Sequence, residues 1–132
     1  MVVGAGPGPL TFPPLTLTEI VRYQGAGSDD NPMHHDDNHA RNGGYPACFS
    51  VGLLHVGAIA SYGTAWLGPA NVRRLKARFL ALQWPGDRLT YAGRVARVYD
   101  AGGERRVDAD FTCTRQTGER TLDVTMAFVV PQ

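Results

Sequence analysis

The feature that most constrains the fold is an apolar stretch from Phe49 to Leu67 that has the length and pattern of a helix. Glycine, alanine and serine separate its large apolar residues, so no face of this helix is strongly polar. A helix that is apolar nearly all round is buried, and its small residues allow another element to pack very close to it. Gly68 and Pro69 end the stretch. The sequence therefore predicts one buried central helix.

Four segments after this helix alternate apolar and polar residues, as a strand with one buried face does. They cover about residues 74–81, 89–99, 107–114 and 122–130. Asp100–Gly103 and Gln116–Glu119 have the composition of hairpin turns. The pattern predicts an α+β protein in which an antiparallel sheet wraps around the helix, which is the hot-dog fold. Because a single sheet leaves an edge strand unpaired, we expect a dimer, or pairing with a similar subunit.

The N-terminal part is predicted to be less regular. Residues 1–9 are rich in glycine, but their prolines disfavour the helix that must follow a phosphate-binding loop, so we expect a flexible arm. Thr18 is predicted to cap a short helix from Glu19 to about Gln24. Asp36 or Asp37 is predicted to cap a second one.

Composition limits the class of protein. The 132 residues suffice for one domain, and we treat residues 1–132 as a single unit. A formal net charge of +1 gives no overall basic field for nucleic acid. No apolar run approaches the length of a membrane span, and no secretory signal is visible. Cys48 and Cys113 have no metal-type spacing, so we expect a cytoplasmic protein with reduced thiols.

A polar segment before the central helix carries the residues suited to chemistry. Asp29 and His34 are five residues apart, with Asn31 and Pro32 between them. A carboxylate and an imidazole held together by a tight turn can exchange protons with a substrate. Further polar residues follow directly: His35, Asp36, Asp37, Asn38 and His39.

This segment resembles the signature of the MaoC-like, (R)-specific enoyl-CoA hydratase family. The resemblance extends over roughly residues 19–130 and includes the Pro85-Gly86-Asp87 turn. Two positions depart from the signature: Gly27-Ser28 replaces Ser-Gly, and Val51 stands where a histidine is usual. In this chain the signature reads Tyr23, Gly27, Ser28, Asp29, Asn31, Pro32, Met33, His34 and Asp36, followed by Ala40, Gly44, Tyr45, Gly52, Leu53 and Leu54.

The resemblance implies reversible addition of water to a trans-2-enoyl thioester. It implies that Asp29 and His34 form the catalytic dyad and that the backbone N–H of Gly52 stabilises the thioester oxyanion. Asn31 is expected to orient the dyad or its turn. Ser28, His35 and Asp36 are expected to hold the dyad residues in position without taking part in the reaction themselves.

The resemblance also implies the partners. The substrate is an acyl-CoA or acyl-carrier thioester, with no metal and no other cofactor, and neither nucleic acid nor a membrane is expected as a partner. The His-His-Asp run from His34 and the helix end at Trp66–Pro69 resemble subunits of heteromeric relatives in steroid side-chain breakdown, and relatives in long-acyl metabolism also form heteromers. Both a homodimer and a heteromer with a second MaoC-like subunit therefore stay open.

Other interpretations stay open as well. The chain can be a non-catalytic acyl-binding partner subunit, a thioesterase on the same fold, or a metalloprotein built on the histidine and aspartate cluster. His55 in the apolar helix is expected to be a core residue, and His39 is expected to be exposed. The only basic cluster is either a solvated strand face or a binding site for coenzyme A phosphates, and it consists of Arg73, Arg74, Lys76 and Arg78.

Overall fold

The computed structural model describes residues 1–132 as three α-helices and one five-stranded antiparallel sheet. The helices are α1 (Leu17–Gly27), α2 (Asp37–Asn42) and α3 (Gly52–Leu67). The strands are β1 (Leu10–Thr11), β2 (Val72–Phe79), β3 (Thr90–Ala101), β4 (Glu104–Thr114) and β5 (Arg120–Val129). Single turns of 3-10 helix occupy Pro32–His34 and Pro69–Asn71.

The strand order in the sheet is β1-β3-β4-β5-β2, and every pair is antiparallel. β3, β4 and β5 form a meander, whereas β2 crosses over to pair with β5. Both predicted hairpin turns connect strands of this meander. The predicted α+β sheet architecture is therefore confirmed, and β2 is left at one edge of the sheet.

α3 lies against one face of the sheet, but only the side that faces the sheet is buried. Leu53 and Gly57 on its other side are exposed, where the apolar stretch predicted burial nearly all round. Ile59 is fully buried in a core cluster with the inward side chains of β3, β4 and β5. Gly63 allows the closest approach, because a Cβ at that position would stand 3.0 Å from Phe111 Cζ and 3.1 Å from Met126 Sδ. His55 is buried in the same helix, as predicted.

α1 begins two residues earlier than predicted and extends to Gly27. Its N-cap is Thr16, not Thr18, because Thr16 and Glu19 form a capping box. Thr16 Oγ1 accepts the N–H of Glu19 at 3.1 Å, and the Glu19 carboxylate accepts the N–H of Thr16 at 2.8 Å. For α2 the prediction is confirmed, since Asp36 accepts the N–H groups of Asn38 and His39.

The first nine residues lie along β3, where the sequence predicts a flexible arm. The N–H of Gly4 donates to the Val95 carbonyl at 2.9 Å, and the N–H of Val95 donates to the Ala5 carbonyl at 2.7 Å. The Tyr62 hydroxyl donates to the Gly8 carbonyl at 2.7 Å. These bonds attach the segment to the sheet and to α3, so it covers the outer edge of β3.

Candidate functional site

Asp29 and His34 line one open cavity of about 580 Å³ beside the N-terminus of α3. The Asp29 side chain is 41% exposed and the His34 side chain is 12% exposed. Most of the other lining residues are apolar and come from the start of α3 and the segment after β2: Phe49, Val51, Leu53, Phe79, Leu80, Ala81 and Leu82. The cavity therefore combines one carboxylate and one imidazole with an apolar wall.

The turn that follows α1 fixes the Asp29 carboxylate. Ser28 has a φ of 53°, the left-handed conformation that ends the helix, and it is the only residue other than glycine with positive φ. The N–H of Asp29 then donates to the Gln24 carbonyl at 2.9 Å. The N–H of Asn31 donates to Asp29 Oδ1 at 3.2 Å. The N–H of Asn31 thus engages Oδ1, and Asp29 Oδ2 is left free to point towards His34.

A hydrogen bond to the backbone of Phe49 fixes the His34 ring. His34 Nδ1 lies 2.9 Å from the Phe49 carbonyl oxygen, which can only accept, so Nδ1 carries the proton. In the neutral imidazole Nε2 is then the basic nitrogen, and it lies 3.9 Å from Asp29 Oδ2. The Phe49 ring contacts the imidazole edge-on, with 5.3 Å between ring centroids.

Gly52 is the first residue of α3 and lines the same cavity. Val51, the N-cap residue, provides no side-chain hydrogen bond to the first N–H groups of the helix. The space where a Cβ of Gly52 would stand is taken by the ring of Phe79, whose Cε1 lies 2.6 Å from that point. The glycine therefore makes room for Phe79, the last residue of β2, in this structure.

The three residues expected to support the dyad have different positions. Asp36 caps α2 and does not line the cavity. Ser28 shapes the turn through its backbone. His35 Nδ1 donates to Gln24 Oε1 at 3.0 Å, and Gln24 Nε2 donates to the Asn31 carbonyl at 3.0 Å. His35 is thus connected through Gln24 to the turn that carries Asp29.

The Asn31 side chain supports the turn and not the dyad directly. Its Oδ1 accepts the N–H of Met33 at 3.1 Å and caps the short 3-10 helix that ends at His34. This is an Asx-type turn, in which an asparagine side chain replaces a backbone acceptor. The relative position of Asp29 and His34 in space therefore depends on both the backbone N–H and the side chain of Asn31.

The histidine and aspartate cluster does not converge on a point. Nowhere in the chain do three histidine, cysteine, aspartate or glutamate side chains form a group that could hold a metal ion. Asp37 Oδ1 instead accepts the N–H of Cys48 at 2.9 Å, and this bond holds the pKa of Asp37 below its usual value. His39 is exposed on α2, as predicted.

Two features of the site were not predicted from the sequence. Gln24 is buried although it is polar, and its spacing of four residues from the buried Ile20 is the signal that could have indicated this. Ser50, which lines the cavity, has its Oγ 2.7 Å from His55 Nε2, and both side chains are buried. Desolvation by burial lowers the pKa of His55 to about 4, so its imidazole is neutral near pH 7.

The Pro85-Gly86-Asp87 turn is held by a buried ion pair. Asp87 is 3% exposed and accepts two hydrogen bonds from Arg115, at 2.8 and 3.0 Å. Gln116 Nε2 and the N–H of Trp84 donate to the same carboxylate. Burial raises the pKa of Asp87, but these hydrogen bonds outweigh burial and leave that pKa below its ordinary value.

The basic cluster lies on β2, at the free edge of the sheet. Arg73 forms an ion pair with Glu104 at 2.8 Å, and hydrogen bonds from Arg73 and Arg106 lower the pKa of Glu104 to about 2. Arg74 lies 3.9 Å from a carboxylate oxygen of Asp108. Unlike these two arginines, Lys76 and Arg78 form no ion pair, and both are exposed.

A family model described as "MaoC like domain" matches residues 5–116. The chain belongs to the MaoC-like family. This match covers the α1 turn, the cavity and four of the five strands, so the predicted family is confirmed. No curated protein matches the MaoC-like chain significantly in sequence.

Solved structures confirm the hot-dog fold. The MaoC-like chain is similar to a chain of the ChsH1-ChsH2 complex from Mycobacterium tuberculosis, with 24% identity, a TM-score of 0.85 and 98% of both chains covered. It is also similar to the R-hydratase PhaJ1 from Pseudomonas aeruginosa, with 21% identity and a TM-score of 0.83 over 100% of this chain and 83% of that one. A third similar structure is the HadBC (3R-hydroxyacyl-ACP dehydratase) complex from M. tuberculosis, with 18% identity, a TM-score of 0.76 and 98% coverage of both chains.

None of the helices of this MaoC-like chain has the length and apolar character that crossing a bilayer requires.

Proposed function

We propose that this MaoC-like protein is a hydro-lyase that adds water to a trans-2-enoyl thioester, or removes it from a 3-hydroxyacyl thioester, with Asp29 and His34 as its dyad. The observation that carries the proposal is the placement of Asp29 Oδ2 and His34 Nε2, 3.9 Å apart in an apolar cavity. The family match supports the reaction type. The substrate is proposed to be an acyl-CoA or acyl-carrier thioester.

The fixed tautomer of His34 makes both dyad atoms proton acceptors. Nε2 of the neutral ring has a lone pair because Nδ1–H donates to Phe49, and an ionised Asp29 accepts at Oδ2. One water oxygen at about 2.8 Å from each atom fits a separation of 3.9 Å. Such a water donates both O–H groups to the dyad, which directs an oxygen lone pair towards the substrate.

Hydration then needs one proton to be taken up and one to be returned. A dyad atom removes a proton from the water while the water oxygen bonds to C3 and the C2–C3 π electrons move towards C2 and the carbonyl oxygen. The protonated dyad member delivers a proton to C2. The thioester gains the atoms of one water molecule, and the protein returns to its starting state.

Gly52 is proposed as the donor to the thioester oxygen. Negative charge builds on that oxygen during the attack, and an N–H group at a helix N-terminus stabilises it with help from the helix dipole. The N–H groups of the first turn of α3 have no side-chain cap, and Gly52 lines the same cavity as the dyad.

The test follows the conjugated enoyl absorbance of crotonyl-CoA and of a bulkier enoyl-CoA with purified protein. Hydration is expected in the native protein, with a loss of 100-fold or more, on the order of one general acid–base contribution, in Asp29→Asn and in His34→Ala. Asp30→Asn and His39→Ala serve as matched controls, because both residues are exposed and lie outside the cavity. These two variants are expected to retain activity.

The alternatives give distinct results in the same experiment. Release of free thiol that is not preceded by a loss of the conjugated enoyl absorbance would indicate a thioesterase. Hydration that survives both dyad substitutions would refute the assigned roles. Hydration only after a second MaoC-like subunit is added would indicate a heteromer, an arrangement that the names of two similar structures report for those proteins. Binding of acyl-CoA without turnover would indicate a non-catalytic acyl-binding subunit.

A further inference from the structure

Ser50 lines the cavity that contains the dyad, and the proposed reaction gives its hydroxyl no role. It lies two residues before Gly52, and both residues line the same cavity as Asp29 and His34. The hydroxyl does not cap α3, because that helix has no side-chain cap hydrogen bond. A polar group therefore remains unassigned at the end of the cavity where the thioester oxygen is expected.

Two hydrogen bonds fix the position of Ser50. Its N–H donates to the Gln83 carbonyl at 2.8 Å, and its Oγ lies 2.7 Å from His55 Nε2. Gln83 is held in turn, because its Nε2 donates to Thr121 Oγ1 at 2.9 Å. All four residues are buried. A hydroxyl that is held in this way needs no reorganisation when charge develops beside it, which is the property of an effective electrostatic donor.

The geometry of α3 brings His55 to Ser50. His55 is three residues after Gly52, so the two residues lie on the same side of the helix, one turn apart. Side chains in a helix tilt towards its N-terminus, and this tilt directs the imidazole back to the residue that precedes the N-cap. His55 is therefore placed to control the hydroxyl of Ser50 from the buried side of the helix.

The surroundings of His55 determine which group donates in this bond. The imidazole is neutral near pH 7, so one ring nitrogen carries a proton. No group of the chain bonds to its Nδ1, and the carboxylates nearest in charge, Asp87 and Glu19, accept hydrogen bonds from other groups. A buried N–H at Nδ1 would thus lack an acceptor, which costs more than an unpaired acceptor does. The proton is favoured on Nε2, which then donates to Ser50 Oγ.

With Nε2–H as the donor, the Ser50 hydroxyl keeps its own proton for another acceptor. The cavity has few donors for a substrate, because Asp29 Oδ2 and His34 Nε2 both act as acceptors. The N–H of Gly52 is the one donor assigned to the thioester oxygen. Since negative charge builds on this oxygen during hydration, a second fixed donor beside Gly52 would stabilise the transition state further.

We propose that Ser50 is a catalytic residue whose O–H donates to the thioester oxygen beside the N–H of Gly52, and that His55 is a positioning residue that directs this O–H. This inference rests on the proposed function. Neither Ser50 nor His55 gives up its proton. Their hydrogen bonds strengthen as charge builds on the thioester oxygen and weaken again once C2 has been protonated.

Hydration kinetics of Ser50 variants with crotonyl-CoA test the role of the hydroxyl. Ser50→Ala is expected to lower kcat by roughly 100-fold, the order of one oxyanion donor, and to change KM much less, because the bond strengthens in the transition state. Ser50→Thr keeps a hydroxyl and is expected to recover most of the activity. Ser61→Ala is the matched control, since Ser61 is exposed on α3 outside the cavity, and it should retain the native kcat.

Variants of His55 separate orientation of the hydroxyl from folding. His55→Gln provides a side-chain N–H that can donate to Ser50, so it is expected to retain more activity than His55→Leu. Ser50→Ala/His55→Leu replaces both partners of the buried bond by apolar groups, a change that can leave stability nearly unaltered. Its kcat is expected to stay as low as that of Ser50→Ala, even where urea unfolding shows native stability.

A measurement without turnover tests the hydrogen bond itself. In an Asp29→Asn background, infrared spectroscopy of bound crotonyl-CoA, isotope-labelled at its carbonyl carbon, reports the C=O stretching frequency. Donors that polarise the carbonyl lower this frequency. Adding Ser50→Ala is expected to raise the frequency towards that of free crotonyl-CoA, whereas adding Ser50→Thr should leave it low.

Failure of this inference can be distinguished from failure of the proposed function. A native kcat in Ser50→Ala, or a carbonyl frequency that ignores this substitution, would overturn the role of Ser50 and leave the dyad intact. Recovery of kcat in the apolar double variant would mean that the bond only positions α3. A covalent acyl group on Ser50, detected by mass, would make it a nucleophile and not a donor. Crotonyl-CoA that is neither bound nor hydrated would overturn both proposals.

Discussion

Ser50 Oγ and His55 Nε2 lie 2.7 Å apart, and this bond joins the residue before the N-cap of α3 to the buried side of the helix. The N–H of Ser50 also donates to the Gln83 carbonyl at 2.8 Å. The position of Gly52 therefore depends on a hydrogen bond between two buried side chains. It also depends on a histidine that stays neutral.

The buried His55 is expected to make stability depend on pH. Its pKa is about 4 in the folded protein, against 6.5 without burial, so the unfolded chain takes up the proton first as pH falls. The contribution of neutral His55 is complete above pH 6.5 and is lost progressively down to about pH 4. At about 1.4 kcal/mol per pKa unit, the loss is on the order of 3 kcal/mol.

Urea unfolding of the native chain and of His55→Gln between pH 4 and pH 7 measures this effect. Glutamine keeps a polar group near Ser50 but cannot titrate, so the stability difference between the two proteins should shrink as pH falls. Carboxylates contribute equally to both proteins and cancel in the difference. A difference that is constant over this range would contradict the assignment to His55.

Gly52 and Phe79 are expected to be coupled energetically. Gly52→Ala places a Cβ 2.6 Å from Phe79 Cε1, so the ring must move, at a cost of about 1 kcal/mol or more. In Phe79→Ala that contact is absent, and Gly52→Ala should cost less there. Chemical denaturation of the four proteins in this double-mutant cycle gives the coupling energy.

The same four proteins separate packing from catalysis. If the thioester must approach Gly52 closely, as the proposed function requires, Gly52→Ala should lower hydration even in the Phe79→Ala background. Recovery of both stability and activity in the double variant would mean that the glycine serves only to accommodate the phenylalanine.

The ion pair between Asp87 and Arg115 is expected to be important for stability. Arg115→Met leaves a buried carboxylate without its charged partner, which costs about 3 kcal/mol or more. The matched control is Arg105→Met, since Arg105 pairs with Asp100 on the surface and should change stability by less than about 1 kcal/mol. Thermal or urea unfolding of both variants provides the comparison. Similar losses of stability in the two variants would show that the burial of Asp87 does not increase the cost of removing its partner.

Two glycines of α3 are expected to respond in opposite ways to alanine. Gly57 is exposed and has open space at the Cβ position, so Gly57→Ala should stabilise the helix by about 0.5–1 kcal/mol. Gly63→Ala would force Phe111 or Met126 to shift, at a cost of about 1–3 kcal/mol. Melting temperatures that move in the same direction for both variants would contradict the packing of α3 on β4 and β5.

Local sequence patterns predicted much of the fold. An apolar stretch predicted that α3 packs on the sheet, and alternation of period two predicted the strands on which it packs. The same stretch predicted burial on the outer side of α3 as well, but that side, at Leu53 and Gly57, is exposed. The predicted start of α1 was wrong because Thr16 and Thr18 are both residues that suit an N-cap position. The deciding feature is Glu19, three residues after Thr16, which completes a capping box.

Other properties of the site and of its surface depend on residues far apart in the chain. The spacing of Asp29 and His34 places them on one turn, but the tautomer of His34 is set by the carbonyl of Phe49, fifteen residues away. The contact between Phe79 and Gly52 and the free edge of β2 depend on the crossover that pairs β2 with β5. Periodicity in a sequence specifies which face of an element is apolar, because that depends on neighbouring residues. The order of strands in the sheet is decided only when all the apolar faces pack together, so the tertiary structure alone determined what lies beside the cavity and which edge is left free.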